Sequence, residues 1–207
     1  MSNRLNNFRY FFLSPIYDLA LHWFYRPLVQ RLIAAVNAEP GQQVLEIGVG
    51  TGISLPFYDA RRKHVTAIDC SLPMLAAARR RAARTPGLHL SLEHAAAEDY
   101  LSQPGQFDQI VFCNCLSVMS QPAQVLATYY DRLSASGRIY LLNHFTPERG
   151  LLRQLDRVLS PVGAVLGFKN FFPLPNLLTA RPMAHTRTMR GGYWRIVEIS
   201  KSADARV

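Results

Sequence analysis

Cysteine is scarce in this chain: three in 207 residues, Cys70, Cys113 and Cys115. An odd number at these spacings builds no disulfide framework and offers no metal-ligand pattern, so a stapled secreted fold is excluded and the reducing cytoplasm is the expected setting. Long apolar runs are also missing. None approaches the ~20 residues a transmembrane helix needs. The opening stretch MSNRLNNFRYFFLSPIYDLALHWFY is broken by Arg9, Pro15, Asp18 and His22 and has no small-residue cleavage site, which makes it a poor signal peptide. There is no internal repeat, Gly/Ser linker or low-complexity tract. One ordered domain spanning 1–207 is therefore expected. Acidic residues are short in one place. From Arg149 onward ten Lys/Arg face three Asp/Glu, so that third carries +7 of the total +9. Two readings stay open: this part meets something anionic (nucleic acid or a lipid surface), or it is a basic surface kept soluble by its charge.

What is present is an alternation of elements. Ile16, Leu19, Ala20, Trp23, Phe24, Leu28, Leu32 and Val36 recur at spacings of three and four, a helix that Pro27 is expected to kink or split. The first forty residues thus read as a helical cap, followed by a sheet domain over 41–207. A buried strand is predicted at Gln43–Gly48, and further strands at His64–Asp69, Leu88–His94, Phe107–Cys113 and Gly137–Asn143. The intervening helices are placed at Gly52–Asp59, Ser71–Ala83, Pro122–Leu133 and Glu148–Val165, with Ser71 as N-cap and Pro73 in the first turn. Strands alternating with helices imply a mostly parallel sheet covered on both faces, a doubly wound α/β fold. Met183–Met189 and Trp194–Ser200, joined by Arg190-Gly191-Gly192, read as a terminal hairpin.

The chemistry concentrates after the first strand, in Glu46-Ile47-Gly48-Val49-Gly50-Thr51-Gly52. Glycines between a strand and a helix let the chain turn tightly and let a ligand approach the backbone. A G-x-G-x-G alone is shared by dehydrogenases and ordinary turns. Here Glu46 precedes it and Asp69 ends the next strand, where an acid can accept two ribose hydroxyls. Glu46 would repel a pyrophosphate and attract the sulfonium and amino groups of S-adenosylmethionine, so the sign of that charge favours a methyl donor over a dinucleotide. The competing role for Asp69 is a charge at a helix N-terminus.

With these motifs and the following S-x-x-M-L (Ser71–Leu75), the region from Gln43 to Asn143 resembles the class I S-adenosylmethionine-dependent methyltransferases. The resemblance implies a Rossmann-like, seven-stranded sheet whose last strand inserts antiparallel. It further implies that Gly48, Gly50 and Gly52 line the methionine end, that Asp69 holds the ribose, and that Cys70 and Met74 flank the adenine. Ala96-Ala97-Glu98 stands where the family usually has an acid followed by alanine, and Ala96 replaces that acid. Cys113 and Asn114 are expected beneath the donor methyl. Ser14-Pro15-Ile16-Tyr17-Asp18-Leu19, Leu142-Asn143-His144-Phe145 and Gly167-Phe168-Lys169-Asn170-Phe171-Phe172-Pro173 resemble the bacterial soluble-type phospholipid N-methyltransferases, which methylate phosphatidylethanolamine.

Methyl transfer to an amine needs a neutral nucleophile and a route for its proton. Tyr17, on the opening helix, and His144, at the end of the fifth strand, are the candidates. Their competing roles are a core aromatic and a strand-end histidine satisfied by backbone. Cys113 and Cys115 have no His–Asp constellation, and no nucleophile elbow surrounds Ser117 or Ser120. Arg79-Arg80-Arg81 reads as a solvated helix face, and Arg61-Arg62-Lys63 as structural or solubilising. The opening helix and the segment of about 166–180 combine aromatics with basic residues. Either they lie in an anionic membrane interface as a peripheral contact, or they close the pocket. The expected acceptor is a lipid or amphiphile, first a phosphatidylethanolamine-type amine, with O- or C-methylation of a fatty-acyl or aromatic metabolite as the alternative. A cofactor-binding module without turnover is disfavoured by the intact glycine motif. No nucleic-acid partner is expected, because the fourth strand runs into Cys113-Asn114-Cys115-Leu116 rather than N/D-P-P-Y/F.

Overall fold

The computed structural model describes residues 25–100, 106–166, 168–181, 183 and 185–201. Seven strands form one sheet in the order β3-β2-β1-β4-β5-β7-β6. They are β1 (Gln43–Ile47), β2 (His64–Asp69), β3 (His89–His94), β4 (Phe107–Cys113), β5 (Leu133–His144), β6 (His185–Arg190) and β7 (Trp194–Ser200). β1 to β5 pair in parallel, while β7 inserts antiparallel between β5 and β6. The order reverses between β1 and β4, and in an open α/β sheet that switch point opens a crevice at the carboxyl ends of the strands.

Alternation along the strands divides the core into two layers. Val44, Ala67, Val111, Tyr140 and Leu142 face α1 (25–38) and α2 (Leu72–Ala82), which bury Leu28, Leu32, Val36, Leu75 and Ala78 against them. Leu45, Ile47, Ile110, Phe112, Ile139, Leu141 and Val197 face α3 (Pro122–Arg132) and the single turn α5 (Leu174–Leu177). The long helix α4 (Leu151–Leu166) follows β5. None of the helices among the described residues is long and apolar enough to cross a membrane.

Two expectations need correction. Only a 3-10 turn, Leu55–Phe57, forms where a helix over Gly52–Asp59 was predicted. Gly52 is left-handed, with φ +76°, and Pro56 has no N–H to give. Asn37 then captures the backbone that a helix would use: its amide donates to the Phe57 carbonyl and accepts from the Asp59 N–H. The stretch 166–180 was held open as a membrane-facing element, but Phe172, Leu174 and Leu177 are buried in the α3 layer. Lys63 is wholly buried as well, its ammonium held by the carbonyls of Glu39 and Gly41 and by Gln109 at the edge opposite the crevice.

Candidate active site

At the end of β1 the backbone N–H groups of Gly48 and Val49 both donate to the Ile68 carbonyl, at 2.9 and 3.1 Å, hooking the glycine loop over β2. Gly48, Gly50 and Gly52 all have positive φ. They differ in what surrounds them. A Cβ on Gly48 would lie 2.6 Å from the Cβ of Cys115, so close packing of the β4 loop demands glycine there. A Cβ on Gly50 would meet no atom of the described residues within 4 Å. Gly50 is thus the point where the loop presents bare backbone to open space, as a ligand cradle requires.

Asp69 ties this loop to the next helix. One carboxylate oxygen accepts the Gly50 N–H and the other the Ser71 N–H at the start of α2, each at 2.8 Å. Its role in the free chain therefore includes the helix-end contact weighed against ribose binding. Each oxygen keeps a second acceptor direction. Burial raises its pKa, against the pull of the two N–H groups. Cys70 is exposed and Met74 half-buried beside it. The Ala95 N–H donates to the Asp69 carbonyl, which brings Ala96, Ala97 and Glu98 to the same rim. Tyr129 of α3 fixes that turn by donating to the Ala97 carbonyl at 2.9 Å, and Glu98 is exposed.

Glu46 departs from expectation. Its carboxylate is buried and receives the hydroxyl of Ser54 at 2.7 and 2.8 Å and that of Tyr58 at 3.0 Å. Burial lifts its pKa to about 7 in spite of these donors. It is a buried brace of the loop, held by hydroxyl groups, not an open charge facing a sulfonium. The signal in the sequence was the pair Ser54 and Tyr58, eight and twelve residues on. A second missed brace is Arg81, expected on a solvated face, which donates to the carbonyl and hydroxyl of Thr51 at 3.0 Å.

Across the switch point, Cys113 ends β4 next to the Tyr25 hydroxyl, 3.5 Å away, and burial pushes its thiol up to about 12. Cys115 donates its thiol to the Ile47 carbonyl. Neither is poised as a nucleophile. Asn114 turns left-handed, with φ 56°, and its N–H donates to the Leu142 carbonyl. Asparagine tolerates that conformation better than branched residues do.

His144 was expected to accept a proton, and the geometry makes it a tether instead. Nε2 lies 2.9 Å from the Lys169 carbonyl, which can only accept, so Nε2 carries the hydrogen. Nδ1 lies 3.4 Å from the Asn143 amide. Burial lowers the pKa and keeps the ring neutral. The ring stacks on Tyr193 at 5.6 Å and meets the edge of Trp194 at 5.7 Å. Lys169 in turn donates through its backbone to Ser117 and through its ammonium to the Met119 carbonyl, so this segment bridges the ends of β4 and β5. Beneath it lies a buried carboxylate that the sequence did not single out: Asp156 of α4 accepts the hydroxyls of Thr146 at 2.7 Å and Tyr193 at 3.0 Å. Tyr17 lies outside the described residues.

The arrangement matches known proteins. A family model described as "Methyltransferase domain" covers residues 44–137. A phosphatidylethanolamine N-methyltransferase of Cereibacter sphaeroides is 33% identical over 170 residues, 81% of each chain. A ubiquinone biosynthesis O-methyltransferase of Aeromonas salmonicida is 32% identical over 102 residues, 49% of this chain and 42% of that one. Among solved structures, a SAM-dependent methyltransferase of Thermotoga maritima superposes with a TM-score of 0.67 over 95% of this chain and 99% of its own, at 18% identity. With its bare-backbone glycine loop, its acid at the end of β2 and its antiparallel β7, the chain belongs to the class I S-adenosylmethionine-dependent methyltransferases, near the phosphatidylethanolamine N-methyltransferases.

Proposed function

We propose that the acceptor is the amine of a phosphatidylethanolamine-type lipid. The observation that carries this reading is the 33% identity to a phosphatidylethanolamine N-methyltransferase across 81% of both chains, against 32% over 49% and 29% over 75% of this chain for two O-methyltransferases. When bound, S-adenosylmethionine would supply a methyl group on a positively charged sulfur, to be taken by the nitrogen of a neutral amine with the neutral thioether as leaving group. Gly50 and Asp69 would hold the donor's backbone-facing and ribose portions, with Cys70, Met74 and the Ala96–Glu98 turn at the nucleoside rim. Cys113 and Asn114 would floor the crevice. On the acceptor side, neutral His144 with Phe172, Tyr193 and Trp194 makes an aromatic, weakly polar wall. Such a wall disfavours an ammonium through desolvation and so favours the reactive free amine. It also offers ring faces to the more substituted cationic product. Tyr17 is proposed as a further steering residue.

Expression in a host with phosphatidylethanolamine-rich membranes tests this reading. Lipid mass spectrometry should find species heavier by one, two or three methyl groups, absent with Gly50→Val. No new lipid from a chain that binds S-adenosylmethionine would move the acceptor to a fatty-acyl or aromatic metabolite.

A further inference from the structure

Helix α4 turns its polar side inward. Leu151, Leu155, Val158 and Val162 stand exposed, from 45% at Leu155 to 74% at Val158, while Asp156, the one acid of the helix, is buried. Taking a carboxylate out of water is costly unless its oxygens are hydrogen-bonded. Here Thr146 donates to one oxygen at 2.7 Å and Tyr193 to the other at 3.0 Å, and Asp156 forms no ion pair among the described residues. Burial and the carboxylate beside it both raise the pKa of the Tyr193 phenol, so the phenol stays protonated and donates. Apolar packing would hold α4 at lower cost, so a buried carboxylate at this place points to a use beyond packing.

Both donors sit at joints of the acceptor wall. Thr146 follows His144 by two residues and pairs with Phe172: its N–H donates to the Phe172 carbonyl at 3.0 Å, and its hydroxyl accepts the Phe172 N–H at 2.8 Å. Tyr193 directly precedes β7, and its carbonyl accepts the Phe145 N–H at 2.8 Å. That bond fixes the Tyr193 backbone but leaves the ring its side-chain torsions. The hydroxyl bond to Asp156 fixes those, and the ring lies close to parallel with His144, at 23° and 5.6 Å between centroids. His144 is held in turn at Nε2 by the Lys169 carbonyl. One carboxylate thus stands a single hydrogen bond from the groups that anchor Phe172 and Tyr193, two of the rings beside His144.

We propose that Asp156 is a positioning residue of the acceptor site: by holding the hydroxyls of Thr146 and Tyr193 it sets the Tyr193 ring against His144 and so fixes the shape of the wall that receives the acceptor. It acts through Tyr193 and Thr146 from behind the wall. The inference deepens the lipid-acceptor reading and rests on it for the identity of the acceptor alone.

Three variants separate positioning from packing. Asp156→Ala leaves both hydroxyls without their acceptor, Tyr193→Phe keeps the ring and loses its bond, and Asp156→Asn keeps a partner for each hydroxyl. Should Asp156→Ala fail to fold, Tyr193→Phe carries both measurements. The first needs no acceptor: proton NMR of the chain with labelled histidine, the His144 signals being assigned by their loss in His144→Gln. The Tyr193 ring current should displace the His144 ring protons in the parent and in Asp156→Asn, and that displacement should shrink in Asp156→Ala and Tyr193→Phe. His144 signals at parent positions in those two variants overturn the proposal. The second is turnover of phosphatidylethanolamine in mixed micelles. The KM for the lipid should rise about three- to tenfold in Asp156→Ala and Tyr193→Phe and about twofold in Asp156→Asn, with kcat near the parent value. Affinity for S-adenosylhomocysteine should stay at the parent value in all three. A lowered melting temperature with the parent KM makes Asp156 a packing residue and overturns the proposal. If the parent chain methylates a polyprenyl catechol and not the lipid, the lipid reading fails by itself. The same KM comparison on the catechol then decides on Asp156, a raised KM upholding its role and an unchanged one overturning it.

Discussion

The two ends of the crevice are assembled differently. Around the glycine loop many polar partners are near neighbours in the chain: Ser71 is two residues from Asp69, Ser54 eight and Tyr58 twelve from Glu46, while Asp69 reaches Gly50 across 19 and Arg81 reaches Thr51 across 30. On the acceptor side they come from afar: Thr146 and Asn170 are 24 residues apart, Asp156 and Tyr193 37, Met119 and Lys169 50. The donor end is therefore specified by a short motif that any chain can carry intact. The acceptor end exists only once β5, α4, the 168–173 segment and β7 have met, so it can be reshaped for a new acceptor without touching the motif.

The sharpest way to break this comparison is inside the loop itself. Gly48→Val adds a side chain where even a Cβ clashes with Cys115, and should lower the yield of folded protein, with a loss beyond the ~1–2 kcal/mol cost of a left-handed non-glycine residue. Gly50→Val pays that conformational cost without a clash, so it should fold yet bind no S-adenosylmethionine in calorimetry. Equal loss of folding in both would mean that Gly50 faces packing, not a ligand. Asp69→Ala comes next. It removes the acceptor of the Gly50 and Ser71 N–H groups as well as the proposed ribose contacts, each charge-assisted bond being worth about 1.5–3 kcal/mol. Cofactor affinity should fall by more than tenfold, and an unchanged affinity would contradict the assignment.

The two ends should also respond to pH with opposite sign. Burial makes the protonated form of Glu46 the favoured one in the fold, so between 4.5 and about 7 the native chain holds a proton that the unfolded chain has released. Stability from this group is complete below pH 4.5 and declines as pH rises to about 7, by on the order of 3 kcal/mol. Asp69, also raised, acts in the same direction. His144 acts in reverse. Its lowered pKa means that its contribution is complete above 6.5 and is lost as pH falls below it. Melting temperature followed against pH should therefore show a smaller decline towards neutral pH in Glu46→Gln, and a smaller acid loss in His144→Gln. A profile for Glu46→Gln that parallels the parent would contradict the buried, proton-holding carboxylate. The smallest effect is expected at Asp156→Asn, which still pairs with both hydroxyls: about 1 kcal/mol or less in stability, unchanged cofactor affinity, and a raised KM for the acceptor.

The same contrast explains what the sequence disclosed. β2, β4 and β7 were legible to the residue because their apolar and β-branched runs end at clear breakers. The juxtaposition of Gly48–Gly52 with Asp69 was legible because it follows from two consecutive parallel strands. The helix expected over Gly52–Asp59 failed because Asn37, from another element, captures its backbone. A backbone-satisfied His144 was one of the two roles weighed, but its partner was hidden because Lys169 reaches it only through the folded 168–173 segment. Most instructive is α4. The sequence placed a helix over Glu148–Val165 but not the direction of its apolar face, since periodicity reports a stripe and not whether the stripe faces the core. Phe172, Leu174 and Leu177 show the converse: aromatic and apolar residues beside a lysine, yet buried.

The central claim is the acceptor, and direct turnover tests it most plainly. The purified chain would be given S-adenosylmethionine with phosphatidylethanolamine in mixed micelles or, separately, with a catechol bearing a polyprenyl tail, and methylated product followed by mass spectrometry. Saturable formation of N-methylated lipid, with little methylated catechol, is the result this account predicts. Methylation of the catechol oxygen with none on the lipid amine would contradict it.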